Sequence, residues 1–206
     1  MSVERTADDL AAILRRLSAV PSDILGYSLG ARVALRLAVA HPAAVARLVL
    51  ESPSAGLATT EERAARRAAD EVTATGIERD GIEAFVAAWE RDPVFATGAA
   101  LAPAVAARQR SIRLRNDPRG LAASLRGAGQ GTMEPLHDHL SGIAAPTLVL
   151  AGALDAVGRP RAELVARAIP GARLELIDNA GHTPHLERSS VFRRLVTDFL
   201  QEVPAT

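Results

Sequence analysis

The sequence has 206 residues, 48% of them hydrophobic, enough to bury a sizeable core as one domain. Its 24 basic and 24 acidic residues cancel, which gives no reason to expect nucleic acid or an anionic membrane as partner. With no cysteine, no apolar run of bilayer length and no basic-then-apolar leader, the chain is expected to be soluble and cytoplasmic, without disulfide or thiolate chemistry.

Residues 1–18 carry a helical pattern, with Val3, Leu10, Ile13, Leu14 and Leu17 on one face and charged residues largely on the other. Pro21 and Ser22 end it. The stretch Asp23-Ile24-Leu25-Gly26-Tyr27-Ser28-Leu29-Gly30 is a short apolar run closing in Gly-x-Ser-x-Gly, followed at once by a helical pattern to Ala40. That order reads as strand, sharp turn and helix, a nucleophile elbow with Ser28 at the turn. Side chains at Gly26 and Gly30 are expected to collide with neighbouring backbone, and the Leu29 N–H, at the helix start, is expected to face a developing oxyanion. His41-Pro42 stops the helix, and residues 47–51 form a second apolar strand, so a parallel sheet is expected.

Between 57 and 140 the strand pattern disappears. Thr59-x-x-Glu62 is a capping box opening a charged helix through Glu71, and further helices are expected over about 82–90, 103–115, 119–126 and 134–140. A helical insertion between parallel strands is expected to form a cap over the strand ends, which divides the chain into a core of 1–56 and 141–206 and a cap of 57–140. An independent helical bundle is the alternative. Strands return at 147–151 and 173–177, with a helix over 161–169 between them and a closing helix capped by Ser189 or Ser190.

Ser28, Asp155 and His182 stand at or just after strand ends in the order serine, acid, histidine. Histidine can take the serine proton, and a carboxylate on the other ring nitrogen fixes the tautomer and steadies the imidazolium. Taken singly, Asp155 reads equally well as a turn residue and His182 as a loop residue. His185 lies three residues from His182, but no third ligand accompanies the pair, and His137 and His139 read as a solvated face; no metal is expected. The cap is dense in arginine: Arg63, Arg66, Arg67, Arg108, Arg110, Arg113 and Arg115. Most such residues are solvated and paired along their own helix. Arg32 differs, because a cation one turn beyond Ser28 at a helix N-terminus is electrostatically poor unless it serves an anion. If two or three of these guanidiniums face the pocket, the substrate is a polycarboxylate, with Tyr27 and Trp89 as aromatic walls.

The segments Gly26-Tyr27-Ser28-Leu29-Gly30-Ala31-Arg32, Leu48-Val49-Leu50-Glu51-Ser52-Pro53, Glu62-Arg63-x-x-Arg66-Arg67-x-x-Asp70, Phe85-Val86-x-x-Trp89-Glu90, Arg113-Leu114-Arg115-Asn116 and Ala180-Gly181-His182-x-x-His185-x-Glu187 together resemble the 2-succinyl-6-hydroxy-2,4-cyclohexadiene-1-carboxylate synthases of menaquinone biosynthesis. The resemblance implies an α/β-hydrolase-like parallel sheet with a helical cap, and a lyase that eliminates pyruvate from 2-succinyl-5-enolpyruvyl-6-hydroxy-3-cyclohexene-1-carboxylate without metal or organic cofactor. It implies that Ser28, Asp155 and His182 form the triad, acting as a base toward a ring proton. Arg32, Arg66 and Arg113 would hold the substrate carboxylates, with Tyr27, Leu29 and Trp89 at the substrate. An esterase-like serine hydrolase is the alternative enzyme, and a sheet fragment that only binds or aggregates the non-enzymatic one.

Two departures from the family stand out. Ala31 replaces the usual second glycine after the elbow. The family also carries four earlier strands and a His-Gly oxyanion loop, whereas this sequence opens at the helix before the elbow. The expectation is therefore a truncated or mis-started synthase with four recognisable strands, its elbow strand left as an edge open to self-association.

Overall fold

The computed structural model describes residues 1–202. Helix α1 (Val3–Arg16) opens the chain, its first turn closed by the Ser2 hydroxyl accepting from the Arg5 N–H at 3.2 Å. Val3, Ala7 and Ala11 are its buried residues, with Leu10 and Leu14 packed beside them. Ile13 and Leu17, expected on the buried face, are 54% and 69% exposed. Small alanines at positions 7 and 11 let α1 lie close on its neighbour, which turns the two larger residues away from it.

Strands β1 (Ser22–Tyr27), β2 (Val45–Glu51), β3 (Thr147–Gly152) and β4 (Arg173–Ile177) form one parallel sheet in the order β1-β2-β3-β4. Leu25 pairs with Val49, Leu50 with Val149, and Leu150 with Glu175. Strand β3 is buried along its whole length, as expected of a parallel strand covered on both faces. Helices α1, α2 (Leu29–Ala40) and α6 (Gly158–Ala168) enclose the larger core on one face, around Leu35, Leu48, Leu50 and Val149. Helix α8 (Ser189–Gln201) covers the other face through Phe192 and Phe199 against Leu148, Leu150 and Ile177. Among the described residues β1 pairs only with β2, and Leu25 of β1 is 49% exposed.

From β2 to β3 the chain is helical: α3 (Thr60–Trp89), α4 (Pro103–Leu114), α5 (Pro118–Ala128) and short 3-10 turns. The capping box is present, with the Glu62 N–H donating to Thr59 Oγ1 at 3.1 Å and the Thr59 N–H to Glu62 Oε2 at 3.0 Å. Gly81, at φ 86°, breaks α3 into two helices, the second of which carries Phe85 and Trp89. Arg126 of α5 clamps Glu71 and Glu78 of α3 through four hydrogen bonds of 2.6–2.9 Å.

Further expected details differ: the charged helix expected through Glu71 runs on to the break at Gly81. Residues 134–140 do not form an α-helix; a 3-10 helix, His137–Gly142, stands there, because Pro135 lacks an N–H and disfavours helical geometry in its predecessor. Neither Ser189 nor Ser190 caps α8. The short helix α7 (Pro184–Glu187) runs directly into it, Arg188 holds the cap position, and Ser189 is the first helical residue.

Candidate active site

Ser28 joins β1 to α2 at φ 50° and ψ −106°, a conformation that side-chain-bearing residues rarely adopt. Its N–H donates to the Glu51 carbonyl at 2.9 Å, which ties the turn to the end of β2. The reason for Gly26 is steric: a Cβ there would lie 2.6 Å from the Gly30 carbonyl carbon and 2.7 Å from the Ala31 nitrogen. The expected collision at Gly30 is absent, since a Cβ at that position meets nothing within 4 Å. Gly30 is the backbone against which Gly26 must fit, and its own Cα points outward.

His182 and Asp155 come from the loops after β4 and β3. The His182 Nδ1–H donates to Asp155 Oδ2 at 2.6 Å, and Ser28 Oγ lies 3.2 Å from Nε2. An ionised carboxylate only accepts, so Asp155 fixes the proton on Nδ1 and leaves Nε2 as the acceptor for the serine hydroxyl. The other carboxylate oxygen of Asp155 accepts the N–H groups of Gly158 at 2.7 Å and Val157 at 3.2 Å. Burial pushes this carboxyl up, but the His182 and backbone hydrogen bonds outweigh it and hold the group below the ordinary aspartate range.

The histidine loop has its own brace. Glu187 accepts the Gly181 N–H at 2.8 Å, the Thr183 N–H at 3.0 Å and the Thr183 hydroxyl at 2.8 Å. His185 is committed elsewhere, its N–H and Nδ1–H both donating at 2.9 Å to Glu51, which is 1% exposed. Tyr27 sits edge-on to the His185 ring at 4.8 Å and tilted to the His182 ring at 5.6 Å; burial, then the Glu51 carboxylate, keeps its phenol protonated. Both histidines thus have carboxylates on Nδ1, and among the described residues no cluster of three metal-ligating side chains occurs.

The relay opens into a cavity of about 460 Å³ and an adjoining one of about 420 Å³, which share Tyr27, Ser28, Leu29, Arg32, Arg66 and Trp89 in their walls. Arg113 lines the second and also an outer cavity of about 400 Å³. Trp89 stacks with Phe95 at 4.9 Å and Phe85 at 5.4 Å. Arg32, 8% exposed, donates to the Ala128 carbonyl at 2.9 Å; burial first, then the nearby Arg66 charge, pulls its pKa down to about 10. Arg66 pairs with Asp70 at 2.8 Å. Three other cap arginines are engaged away from the relay: Arg63 with the Leu57 and Ala58 carbonyls, Arg67 with the Gly131 carbonyl and Arg110 with Glu90.

The structure thus brings together all nine residues expected at the site, and adds several. Arg161, Phe95 and Gln130 line the first cavity, and Glu187 supports the histidine loop. Arg161 was hidden by a boundary: read as the first residue of its helix, it is the fourth, because α6 begins at Gly158. Gln130 follows α5 in a segment without periodicity and left no signal in the sequence.

An elbow serine, a histidine relay and a parallel sheet with helices on both faces define an α/β hydrolase, and the chain belongs to that family, whose α/β-hydrolase-fold model matches residues 1–189. Within it, the chain belongs with the 2-succinyl-6-hydroxy-2,4-cyclohexadiene-1-carboxylate synthases. A Bacillus subtilis (strain 168) protein provisionally given that name is 39% identical over 98% of this chain and 74% of its own length. A Klebsiella pneumoniae synthase is 35% identical over 79% of this chain, a match that spans 61% of the Klebsiella protein. Among solved structures, MenH from S. aureus superposes with a TM-score of 0.94 at 34% identity, covering 97% of this chain and 75% of that one. A thermophilic esterase from Thermogutta terrifontis, with malate bound, gives 0.83 at 28% identity over 98% and 72%.

Proposed function

We propose that this chain is a carbon–oxygen lyase that eliminates pyruvate from 2-succinyl-5-enolpyruvyl-6-hydroxy-3-cyclohexene-1-carboxylate to give 2-succinyl-6-hydroxy-2,4-cyclohexadiene-1-carboxylate, in menaquinone biosynthesis. The observation that carries it is the wall of the relay cavity, where Arg32, Arg66 and Arg161 face one acidic residue, Asp92. An esterase acting on neutral acyl groups has no use for that excess of positive charge; a substrate with several carboxylates does.

Ser28 Oγ, relieved of its proton by His182 Nε2, removes the ring proton. The C–H electron pair at C2, beside the succinyl carbonyl, forms the C2=C3 double bond, the existing C3=C4 pair shifts to C4=C5, and the C5–O bond to the enolpyruvyl group breaks with its electrons on oxygen. The departing enolate takes up a proton and tautomerises to pyruvate. Asp155 steadies the imidazolium while it holds the proton. Charge developing on the succinyl carbonyl is met by the Leu29 N–H, one of the N-terminal groups of α2 that has no partner inside its helix. Arg32, Arg66 and Arg113 bind carboxylates, and Tyr27 and Trp89 hold the ring. The reaction calls for neither metal nor organic cofactor.

In this reading residues 57–140 are the cap over a core of 1–56 and 141–206, and the cysteine-free composition accords with a cytoplasmic site of action. The open edge of β1, on which Leu25 is half-exposed, is a surface for self-association. Pyruvate release on adding the substrate to the purified chain, followed through lactate dehydrogenase, tests the reaction. The esterase likeness favours serine hydrolysis as the second reading. A hydrolase would turn over simple esters and form a stable phosphonyl adduct at Ser28.

A further inference from the structure

We infer that Arg161 is a specificity-determining residue that binds a carboxylate of the substrate from the α6 side of the cavity, opposite the arginines of the cap. The inference rests on the polycarboxylate reading above and adds a residue to it. Arg161 and Arg32 occupy equivalent places: each is the fourth residue of a helix, α6 and α2, whose N-terminus faces the relay. A guanidinium in the first turn opposes the helix dipole, so two independent helices carry the same unfavourable feature toward one cavity. The carboxylates nearest Arg161 are already committed, Asp155 to His182 and Glu62 to the Thr59 N–H. Burial, then repulsion from Arg66, lowers its affinity for its own proton by more than the Asp155 and Glu62 charges raise it, and Arg161 makes no side-chain hydrogen bond among the described residues. An anionic guest relieves that repulsion by sitting between Arg66 and Arg161.

Citrate, a small tricarboxylate, serves as probe in calorimetric titrations. Wild type is expected to bind it, Arg161→Gln to bind it about 10–100-fold more weakly, and Arg161→Lys to recover part of the loss, as expected for one charge-assisted contact. Arg159→Gln is the control, since Arg159 pairs with Glu163 at 2.8 Å on the surface of the same helix. Arg161→Lys also guards against misfolding of the neutral variant, with circular dichroism recorded for each. In turnover, Arg161→Gln should raise KM about tenfold or more and change kcat by less than about threefold. Absence of citrate binding by wild type, or equal affinity in wild type and Arg161→Gln, overturns the inference. Arg161-dependent citrate binding without pyruvate release would contradict the lyase reaction and leave the inference standing; pyruvate release indifferent to Arg161 would do the reverse.

Discussion

Gly26 lies so close beneath Gly30 that a methyl group on it would come within 2.6 Å of the Gly30 carbonyl carbon, whereas the same group on Gly30 would meet nothing within 4 Å. Of the two glycines in the motif, only Gly26 is therefore required by steric fit. Gly26→Ala should destabilise the chain by about 2–4 kcal/mol and move Ser28, while Gly30→Ala should be neutral or stabilise by up to about 1 kcal/mol, because alanine favours the helix. Urea unfolding of both variants checks this; equal losses would contradict it.

Asp155 stabilises the fold in a pH-dependent way. Its carboxyl is held below the unfolded value of about 3.9, so its contribution is fully present above that pH and is lost as pH falls through the folded value. Asp155→Asn should be less stable than wild type at pH 7, with the gap closing below about pH 4, and should lower turnover by about 10²–10⁴. A gap that stays constant between pH 7 and pH 3 would show that the carboxyl is not specially held.

Arg113 and Arg110 lie on the same helix with different surroundings. Arg113 lines the cavity next to Ser28, and Arg110 is paired with Glu90. Arg113→Ala should raise KM about tenfold or more, Arg110→Ala less than about threefold, in a steady-state comparison. The reverse order would reassign the carboxylate contact.

The β1 edge leads to a hydrodynamic prediction. With Leu25 49% exposed beside unpaired strand backbone, sedimentation velocity should show concentration-dependent association that Leu25→Lys reduces. A wild type monomeric at every concentration would refute it.

Much of this was legible in the sequence, for identifiable reasons. The four strands and the elbow announce themselves through apolar runs bounded by Gly, Pro and Asp, and the relay through residue types in a fixed order at strand ends. What stayed hidden depends on packing. Alternation could not show that Ala7 and Ala11, not Ile13 and Leu17, form the close face of α1. The role of Arg161 depended on a three-residue shift in a helix start, and Glu187 became visible as a brace only once the loop had curled back on it.

The proposed reaction requires the Ser28–His182–Asp155 relay to act as a base on a polyanionic substrate. The most direct measurement is pyruvate release by wild type and Ser28→Ala, with simple esters assayed in parallel. Wild type should release pyruvate, the variant should do so at least about 10²-fold more slowly, and neither should turn over esters appreciably. Ester hydrolysis through an acyl-Ser28 intermediate without pyruvate release, or pyruvate release unaffected by loss of the hydroxyl, would contradict it.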